Sequence, residues 1–173
     1  VHKVPTTPED PVRGVLSGVR ETLEVAGVEP GEITYFGAGT TLALNTVIQR
    51  AGVDTGLLIT RGYRDVLEIR RTRLPDAPSY DAARPVPLVR RARVREVSER
   101  MMADGTVLRP LEPDSVIAAA GELVEAGVEA IAICFLHSYA NPEHERRARE
   151  IVSGQWPDLF LCTSEETWPQ QRE

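Results

Sequence analysis

The 173-residue sequence is acidic, with 42% hydrophobic residues, 27% charged residues and a net charge of −6 at pH 7. This composition suffices for one domain or one large lobe with a buried core. It lacks the basic excess of a nucleic-acid-binding surface, and no apolar run is long enough to span a bilayer. The first twenty residues lack the apolar segment of a signal peptide. We therefore expect a cytoplasmic protein whose partners are neither nucleic acid nor a membrane.

An amphipathic helix is expected from about Pro11 to Ala26. Its apolar residues recur at helical spacing and form one stripe, as is typical of a helix on the surface of a domain. A proline in the first turn and Gly27 just past the end agree with these bounds. The stripe consists of Val12, Val15, Leu16, Val19 and Leu23.

A short apolar run, Ile33–Phe36, is followed by two glycines and two threonines. The run is rich in β-branched and aromatic residues, which predicts a buried strand. Gly37 and Gly39 permit a positive φ and a close approach of another group to the backbone. Thr40 or Thr41 can cap the helix that follows.

This turn before a helix has two interpretations. The free N–H groups and partial positive charge at a helix N-terminus suit a phosphate or a carboxylate, so the turn can be an anion site. Alternatively, its residues only cap the helix. The spacing is neither that of a P-loop, which needs Gly-Lys-Ser/Thr, nor that of a Rossmann fingerprint, which needs a third glycine. Asn45, four residues past Thr41, either hydrogen-bonds back to the turn or is a polar residue on the helix surface.

The next elements continue the alternation of helix and strand. Gly52 stands where a helix-terminating glycine is expected. The run Thr55–Thr60 predicts a strand, and Arg61–Ile69 predicts a turn and a short helix. On that helix, Asp65 and Glu68 are either capping and surface charges or carboxylates near a phosphate site, where they can hold Mg²⁺.

Residues 74–91 contain four prolines and predict an extended excursion over the surface. Just before it, Arg70, Arg71 and Arg73 form a basic cluster. One interpretation is a solvated helix end whose arginines complement the helix dipole. The other is a contact for a phosphorylated intermediate, an anionic substrate or a partner subunit.

A β-hairpin is predicted around Asp104-Gly105, a dipeptide typical of hairpin turns. The extended runs 89–101 and 106–111 flank this dipeptide. We expect the hairpin to pack on the main body, as part of an insertion that covers about residues 74–111.

The α/β pattern returns from Pro113. A helix stripe ends at Gly127, and the continuous apolar run Ala130–Leu136 predicts a strand buried on both faces, as in a parallel sheet. Asn141 and Pro142 predict the N-cap and first residue of another helix.

That last helix is expected to reach about residue 153, and a final strand covers residues 159–163. Glu143 and Glu145 are favourable charges in its first turn. The fold class implied is α/β, with βαβ units on a mixed, mainly parallel sheet and a β-hairpin insertion after the second unit.

His137 follows the predicted central strand. Ligands of open α/β sheets gather at the carboxyl ends of strands, so His137 is well placed for function. Alternatively, it is a hydrogen-bonding turn residue, as Tyr139 and Asn141 are taken to be. His137 and His144 need not share a helix face, and no metal site is predicted.

Two cysteines, Cys134 and Cys162, lie in separate apolar runs. We predict buried, reduced thiols on strands rather than a disulfide. Two cysteines are too few for cysteine-based metal chemistry, and the chain offers no Ser-His-Asp or Cys-His nucleophile set.

Three motifs resemble the hydantoinase A / 5-oxoprolinase family. The sequence Ala38-Gly-Thr-Thr-Leu-Ala-Leu-Asn45 is similar to the family's His-Gly-Thr-Thr-x-x-x-Asn segment, and the stretches Thr60–Ile69 and Cys134–Glu145 match in the family's order. The resemblance covers nearly the whole chain. Ala38 stands where the family usually has a histidine, so no imidazole is available at that point.

The resemblance implies that residues 1–173 are the N-terminal lobe of a longer enzyme. The family includes N-methylhydantoinases, 5-oxoprolinases and subunits of acetone and acetophenone carboxylases. It resembles actin and sugar-kinase ATPases, with ATP and Mg²⁺ in a cleft between two lobes. The implied reaction is ATP-dependent phosphorylation of a cyclic amide oxygen, or of bicarbonate, before hydrolysis or carboxylation. The isolated segment is expected to be inactive, because half of the cleft lies outside it.

On this resemblance we expect Thr40, Thr41 and His137 to be catalytic. The residues expected to contact phosphate or substrate are Gly37, Gly39, Thr40, Thr41, Asn45, Arg70 and Arg71. The expected partners are a companion hydantoinase B-type subunit or domain and a small amide or ketone substrate. The alternative is a non-catalytic assembly lobe that binds the companion subunit through the proline-rich excursion and the hairpin.

Overall fold

The computed structural model describes residues 1–70 and 86–171 of the chain. The chain divides into two compact units, Val1–Leu42 and Ala43–Glu173. The predicted excursion over residues 74–91 falls largely on residues 71–85, which lie outside the described ranges. Among the residues that the structure describes, no helix is both long enough and apolar enough to cross a bilayer.

The helices and strands alternate along the second unit as an α/β protein requires. Short 3₁₀ turns cover Pro30–Glu32 and Arg91–Arg93. In chain order the elements are α1 (Pro11–Ala26), α2 (Leu42–Gln49), β1 (Thr55–Thr60), α3 (Val66–Ile69), β2 (Val94–Val97), β3 (Arg100–Met101), β4 (Val107–Arg109), α4 (Pro113–Glu125), β5 (Ala130–Cys134), α5 (Glu143–Gln155), β6 (Phe160–Thr163) and α6 (Ser164–Thr167).

The first unit is built on α1, whose predicted bounds are confirmed. The side chain of Asp10 caps the helix by accepting from the N–H of Arg13 at 3.2 Å. Gly27 ends it with a φ of 64°, a left-handed conformation in which a glycine meets no Cβ penalty. No residue of α1 is buried, and its apolar stripe is largely exposed.

The prediction of a buried strand at Ile33–Phe36 is wrong for the described structure. These residues have no regular secondary structure, and Tyr35 and Phe36 are 86% and 58% exposed. A strand needs a neighbour to pair its backbone N–H and C=O groups. The described residues of the first unit contain no strand that supplies such a neighbour.

Helix α2 ends at Arg50 rather than at the predicted glycine, Gly52. Arg50 adopts a φ of 53°, and its N–H donates to the carbonyl of Val47 at 3.3 Å. The N–H of Ala51 donates to the carbonyl of Thr46 at 3.1 Å, which completes a Schellman-type end. The guanidinium of Arg50 also donates to the carbonyls of residues 86 and 87, contacts that a glycine cannot make.

The main sheet has four strands in the order β2-β1-β5-β6, and all three pairings are parallel. The predicted parallel α/β class is therefore confirmed, and the hairpin forms a separate two-stranded antiparallel sheet. On one face, Leu58, Ile131 and Ile133 pack in a single core with residues of α4 and α5. Gly56 permits close packing, since a Cβ there would lie 2.7 Å from a methyl of Leu123 on α4.

On the opposite face, the described residues of the second unit cover only the part of the sheet near β1 and β2. Leu57, Ile59 and Val94 pack with residues of α3 near β1 and β2. Phe160 on β6 is 68% exposed. The two cysteines are free, but the prediction that both are buried is wrong, because Cys134 is exposed and Cys162 is half-buried on this open side. Burial on both faces, which a parallel sheet normally shows, is thus incomplete within this unit.

The predicted hairpin forms, but its first arm is only β3. Val94–Val97 instead lies in the main sheet, parallel to β1, with Val94 and Val97 buried. Gly105 takes a φ of 82° in the turn, and Asp104 accepts a hydrogen bond from the N–H of Thr106 at 3.0 Å. Alternation along residues 89–101 does not reveal this switch, because both kinds of strand place alternate side chains on opposite faces.

Candidate functional site

The carboxyl ends of the parallel strands meet at one edge of the main sheet. Ligands of open α/β proteins bind at this edge, where the loops that follow the strands converge. Buried polar side chains occupy it in this protein, although polar groups are normally buried only when they are hydrogen-bonded. We call four of these residues, together with the half-buried Ser164 that donates to one of them, the carboxyl-edge cluster: Thr60, Glu99, His144, Glu145 and Ser164.

Glu99 is the centre of the first half of this cluster and is only 1% exposed. Its carboxylate accepts from the hydroxyl of Thr60, the last residue of β1, and pairs with Nδ1 of His144 on α5 at 2.8 Å. The Thr60 hydroxyl oxygen in turn accepts from the backbone N–H of Leu136 at 3.0 Å. This chain of hydrogen bonds joins the ends of β1, β2 and β5 to α5.

The pairing with Glu99 determines which nitrogen of His144 remains available. With Glu99 ionised, its carboxylate can only accept, and the Nδ1 that faces it then carries the proton. The other ring nitrogen, Nε2, is then the hydrogen-bonding position that Glu99 does not use. A carboxylate that orients an imidazole in this manner leaves Nε2 as a proton acceptor, as in catalytic His–carboxylate pairs.

Glu145 is the centre of the second half and is fully buried. Its carboxylate accepts from the N–H of Phe135 at 2.8 Å, the hydroxyl of Ser164 at 2.7 Å and the N–H of Glu165 at 3.1 Å. Three donors compensate for the loss of hydration of a buried carboxylate. Glu145 thus connects α5 to the residues after β5 and β6. The sequence predicted only a favourable charge in the first turn of the helix at this position.

His137 lies in the turn after β5, at the carboxyl edge as expected. It adopts a φ of 63°, its Nδ1 is 3.4 Å from the hydroxyl of Tyr139, and the two rings meet edge to face. Its carbonyl accepts from the N–H of Ala140 at 2.9 Å. Through the Ser138 hydroxyl, 3.0 Å from that of Ser164, the turn contacts the carboxyl-edge cluster. The geometry suits a turn residue, and a catalytic role for His137 stays a prediction.

The glycine–threonine turn belongs mainly to the first unit and is exposed. Thr40 caps α2 as predicted, because its hydroxyl oxygen accepts from the N–H of Leu42 at 3.1 Å. Gly37 and Gly39 do not use the left-handed region that the sequence suggested. A Cβ at Gly39 would meet no atom within 4 Å, which leaves open space around that backbone.

The other predicted contact residues are not gathered in the carboxyl-edge cluster. Asn45 is exposed on α2, and Thr41, at the start of that helix, is also exposed. Arg70 is exposed at the end of α3, with a φ of 46°. Arg71 lies outside the described residues. Their proposed contacts with phosphate or substrate stay predictions.

The pKa of Asp65 is lowered by its hydrogen bonds and its attraction to the Arg91 guanidinium. Both groups are well exposed, so this pair is a surface contact that holds the start of α3 near the residues before β2.

Within residues 1–70 and 86–171, no three histidine, cysteine or acidic side chains are grouped to hold a metal ion.

An open groove of about 690 Å³ lies beside the carboxyl-edge cluster. Val107, Pro110 and Leu111 contribute apolar lining from β4 and the link to α4. The start of α5 contributes the polar side. Its lining residues are Asn141, Pro142, Glu143, His144, Arg146, Arg147 and Glu150. His144 is therefore shared between the buried cluster and the groove.

Sequence reasoning missed Thr60, Glu99 and Ser164 and undervalued His144 and Glu145. Glu99 follows β2 within an apparently continuous extended run, so its burial has no local signal. A local signal did exist for His144 and Glu145, because these two residues end the third motif of the family resemblance. The contacts of Glu99 cross 39 residues to Thr60 and 45 residues to His144, distances that no local pattern reports.

Comparisons with known proteins agree with this architecture. The alpha subunit of caprolactamase from Pseudomonas jessenii is 38% identical over 179 residues, covering all of this chain and 26% of that subunit. The solved structure of the ATP-dependent caprolactamase from that organism has a TM-score of 0.81, at 38% identity over 99% of this chain and 26% of the other. A nucleotide-free structure of acetone carboxylase, described under the mechanism of ATP-dependent acetone carboxylation, has a TM-score of 0.86 at 31% identity, covering 98% of this chain and 26% of the other.

The chain thus spans about a quarter of the length of these relatives. The model of the hydantoinase/oxoprolinase N-terminal region matches residues 1–155. That match covers well over half of the chain and agrees with the sequence motifs and with the fold. The chain belongs to the hydantoinase/oxoprolinase N-terminal region family.

Proposed function

We propose that this chain is the N-terminal part of a subunit of an ATP-dependent enzyme that opens a cyclic amide or carboxylates a ketone. The observation that carries the proposal is the match of the whole chain to the caprolactamase alpha subunit at 38% identity. The acetone carboxylase match supports the use of ATP, since the description of that structure names an ATP-dependent reaction. As those relatives include subunits, a companion subunit, of hydantoinase B type, is part of the proposal.

The proposed chemistry is activation by phosphorylation. ATP supplies a phosphoryl group that makes a cyclic amide oxygen, or bicarbonate, reactive. Catalysis of phosphoryl transfer rests on positioning and charge stabilisation, for which backbone N–H groups and hydroxyls are suited. We propose that phosphate or substrate is contacted by residues of the glycine–threonine turn and of α2, and also by two arginines and a histidine. These residues are Gly37, Gly39, Thr40, Thr41, Asn45, Arg70, Arg71 and His137.

The glycine–threonine turn fits such an anionic group. It is exposed, the space around Gly39 is open, and the Thr40 hydroxyl still has its proton to donate while its oxygen accepts from Leu42. The described residues offer no group of three metal ligands. The proposal includes Mg²⁺ bound with the nucleotide, as in other sites for nucleotide phosphates. We also propose that residues 1–173 form one lobe of an ATPase of the actin and sugar-kinase type.

Turnover of the full-length protein with its companion subunit tests this proposal. ADP release is measured with a lactam, a hydantoin, 5-oxoproline, and acetone with bicarbonate. We expect ADP release that depends on one of these substrates, and a loss of about 100-fold or more in the double variant Thr40→Ala, Thr41→Ala, a typical effect of removing transition-state donors. Thr22→Ala, an exposed threonine of α1, is the matched control. Unchanged turnover in the double variant would reject the role of the turn.

A second candidate function is assembly through the hairpin. Two apolar side chains of β4 are exposed, Leu108 by 66% and Val107 by 45%. Under this alternative, Leu108→Ser and Arg70→Ala abolish co-purification with the companion subunit. Under the catalytic proposal, Arg70→Ala leaves the complex intact and lowers turnover. Size-exclusion chromatography of the two variants beside the ADP assay separates the two functions.

A further inference from the structure

Near the carboxyl ends of β1 and β2, three buried side-chain atoms have no hydrogen-bond partner among the described residues. They are Nε of Arg64, Oγ of Ser98 and Nη1 of Arg100. A buried donor without an acceptor is unfavourable, and native proteins normally complete it with water, an ion or a ligand. Ligands of open α/β proteins also bind at this edge of the sheet.

The turn after β1 is held against β2 and the residues that follow it. Gly62 and Arg64 donate their backbone N–H groups to the carboxylate of Glu96, at 2.8 and 3.3 Å. The N–H of Arg61 donates at 2.9 Å to the carbonyl of the residue before Ser98. Ser98 is 1% exposed, so its hydroxyl is enclosed next to this turn. The unpartnered atoms of Arg64 and Ser98 therefore belong to one region.

Arg100, the first residue of β3, joins the same region through Tyr63. Its guanidinium lies over the Tyr63 ring, 4.8 Å from the ring centroid, in a cation–π contact. Tyr63 directly precedes Arg64 in the turn. We call Arg64 and Arg100 the arginine pair. Both side chains are half-buried, so part of each remains at the surface, where a dissolved ligand can reach it.

No ion pair neutralises the arginine pair within the described part of the chain. Buried arginines are normally paired with a carboxylate. Nη2 of Arg64 instead donates a long hydrogen bond, 3.4 Å, to the carbonyl of Arg91. The carboxylate of Asp65 is bonded to the Arg91 guanidinium, and Glu96 accepts from the backbone of the turn. These three arginines and two carboxylates leave an excess of one positive charge.

This excess favours a ligand with a single negative charge. A guanidinium presents its N–H donors in a planar fork that matches the two oxygens of a carboxylate. The backbone of the turn also leaves room, because a Cβ at Gly62, whose φ is 91°, would meet no atom within 4 Å. A small carboxylate therefore suits this region better than a doubly charged phosphate.

We propose that the arginine pair binds the carboxylate group of a small molecule beside the turn after β1. Arg64 and Arg100 donate to its oxygens, and the Tyr63 ring holds the guanidinium of Arg100 in place. None of these three residues is among those proposed to contact phosphate or substrate. The site thus goes beyond the proposed function, and its test is independent of turnover.

Modification of arginines by phenylglyoxal tests the proposal. The full-length protein is treated at constant ionic strength with acetate, phosphate or chloride as the anion, and modified peptides are quantified by mass spectrometry. We expect acetate, relative to chloride, to slow modification of both members of the arginine pair in a saturable manner. The expected factor is about three-fold when acetate is present at twice its dissociation constant. Arg147, whose side chain is 61% exposed, is the internal reference that should not change.

Two variants of the hairpin separate binding from a general effect of charge. In Arg100→Gln one of the two guanidiniums is lost, and acetate should then protect Arg64 no better than chloride does. Arg109→Gln is the matched control, because Arg109 is exposed and lies opposite Arg100 in the register of β3 and β4. Protection of the arginine pair should persist in this control.

Equal modification of the arginine pair in acetate, phosphate and chloride would overturn the proposal. Protection by phosphate but not by acetate would reject the carboxylate in favour of a phosphate site. An equal slowing at Arg147, or an equal loss of protection in Arg109→Gln, would reject a specific site in favour of general screening of charge. Each of these results leaves the proposed function standing if substrate-dependent ADP release is observed.

Discussion

At the residue scale, two buried carboxylates organise the carboxyl edge of the sheet. Glu99 and Glu145 are each almost or fully inaccessible, and the hydrogen bonds of their carboxylates reach residues at least ten positions away in sequence. Burying a carboxylate is unfavourable unless donors surround it. Their partners are therefore as important as the acids themselves, and the sequence neighbours of the two acids do not identify these partners.

Removal of the Glu145 carboxylate should loosen the ends of β5 and β6. In Glu145→Ala the N–H groups of Phe135 and Glu165 lose their acceptor, and we expect a loss of about 3 kcal/mol or more, typical of breaking a buried charged network. In the full-length protein, hydrogen exchange of these two amides should accelerate about 100-fold. Glu125→Ala, at the exposed end of α4, is the control. Unchanged exchange at both amides would contradict the assignment.

The pKa of Asp65 should depend on Arg91. The guanidinium holds this pKa below its ordinary value near 3.8, so the favourable contact is complete above that value and is lost as the pH falls through the lower folded pKa. In Arg91→Ala we expect the pKa to rise back toward 3.8. Carboxyl ¹³C NMR titration measures it, and Asp54, paired with Arg93, serves as an internal control that should not move. An unchanged Asp65 would show that another charge holds it.

At the element scale, local signals located most helices and strands. The helix Pro11–Ala26 and the strands Thr55–Thr60 and Ala130–Cys134 follow from caps, glycines and apolar runs. The signal failed where an element depended on a distant neighbour. Val94–Val97 has the alternation of a hairpin arm, but it pairs with β1 and is buried there.

The end of α2 offers a test of whether distant contacts outweigh a local backbone preference. Arg50 adopts a left-handed conformation, which costs about 1 kcal/mol relative to glycine. Both Arg50→Gly and Arg50→Ala remove the contacts with the carbonyls of residues 86 and 87, but only glycine removes the strain. Exchange of the Ala51 amide, which donates to Thr46, should therefore be faster in Arg50→Ala than in Arg50→Gly. Equal rates would exclude strain at Arg50.

At the scale of the whole molecule, the described residues of both units include exposed apolar side chains. In the first unit these include the stripe of α1 with Tyr35 and Phe36, and in the second they include Phe160 on the open side of the sheet. Patches of this kind normally mark interfaces. The relatives are about four times longer than this chain, which supports the view that their remaining parts cover corresponding surfaces.

The segment Ile33–Phe36 should become a strand in the full-length protein. Its β-branched and aromatic residues favour a strand, and the described residues of its unit lack only the neighbour that a strand needs. We expect slow hydrogen exchange of the amides of residues 33–36 in the full-length complex. The amides of exposed residues 37–39 serve as a fast-exchanging reference. Fast exchange throughout residues 33–36 would contradict the expectation.

The sequence by itself determined the family, the α/β class and the ends of most elements. These properties depend on motifs, caps and periodicity within a few residues, where backbone geometry and side-chain spacing suffice. Only the tertiary structure decided that Val94–Val97 joins the parallel sheet and that Glu99 orients His144 beside a groove. Those outcomes depend on hydrogen bonds and packing between residues 37 to 76 positions apart, and burial makes such contacts decisive because water no longer competes for the polar groups.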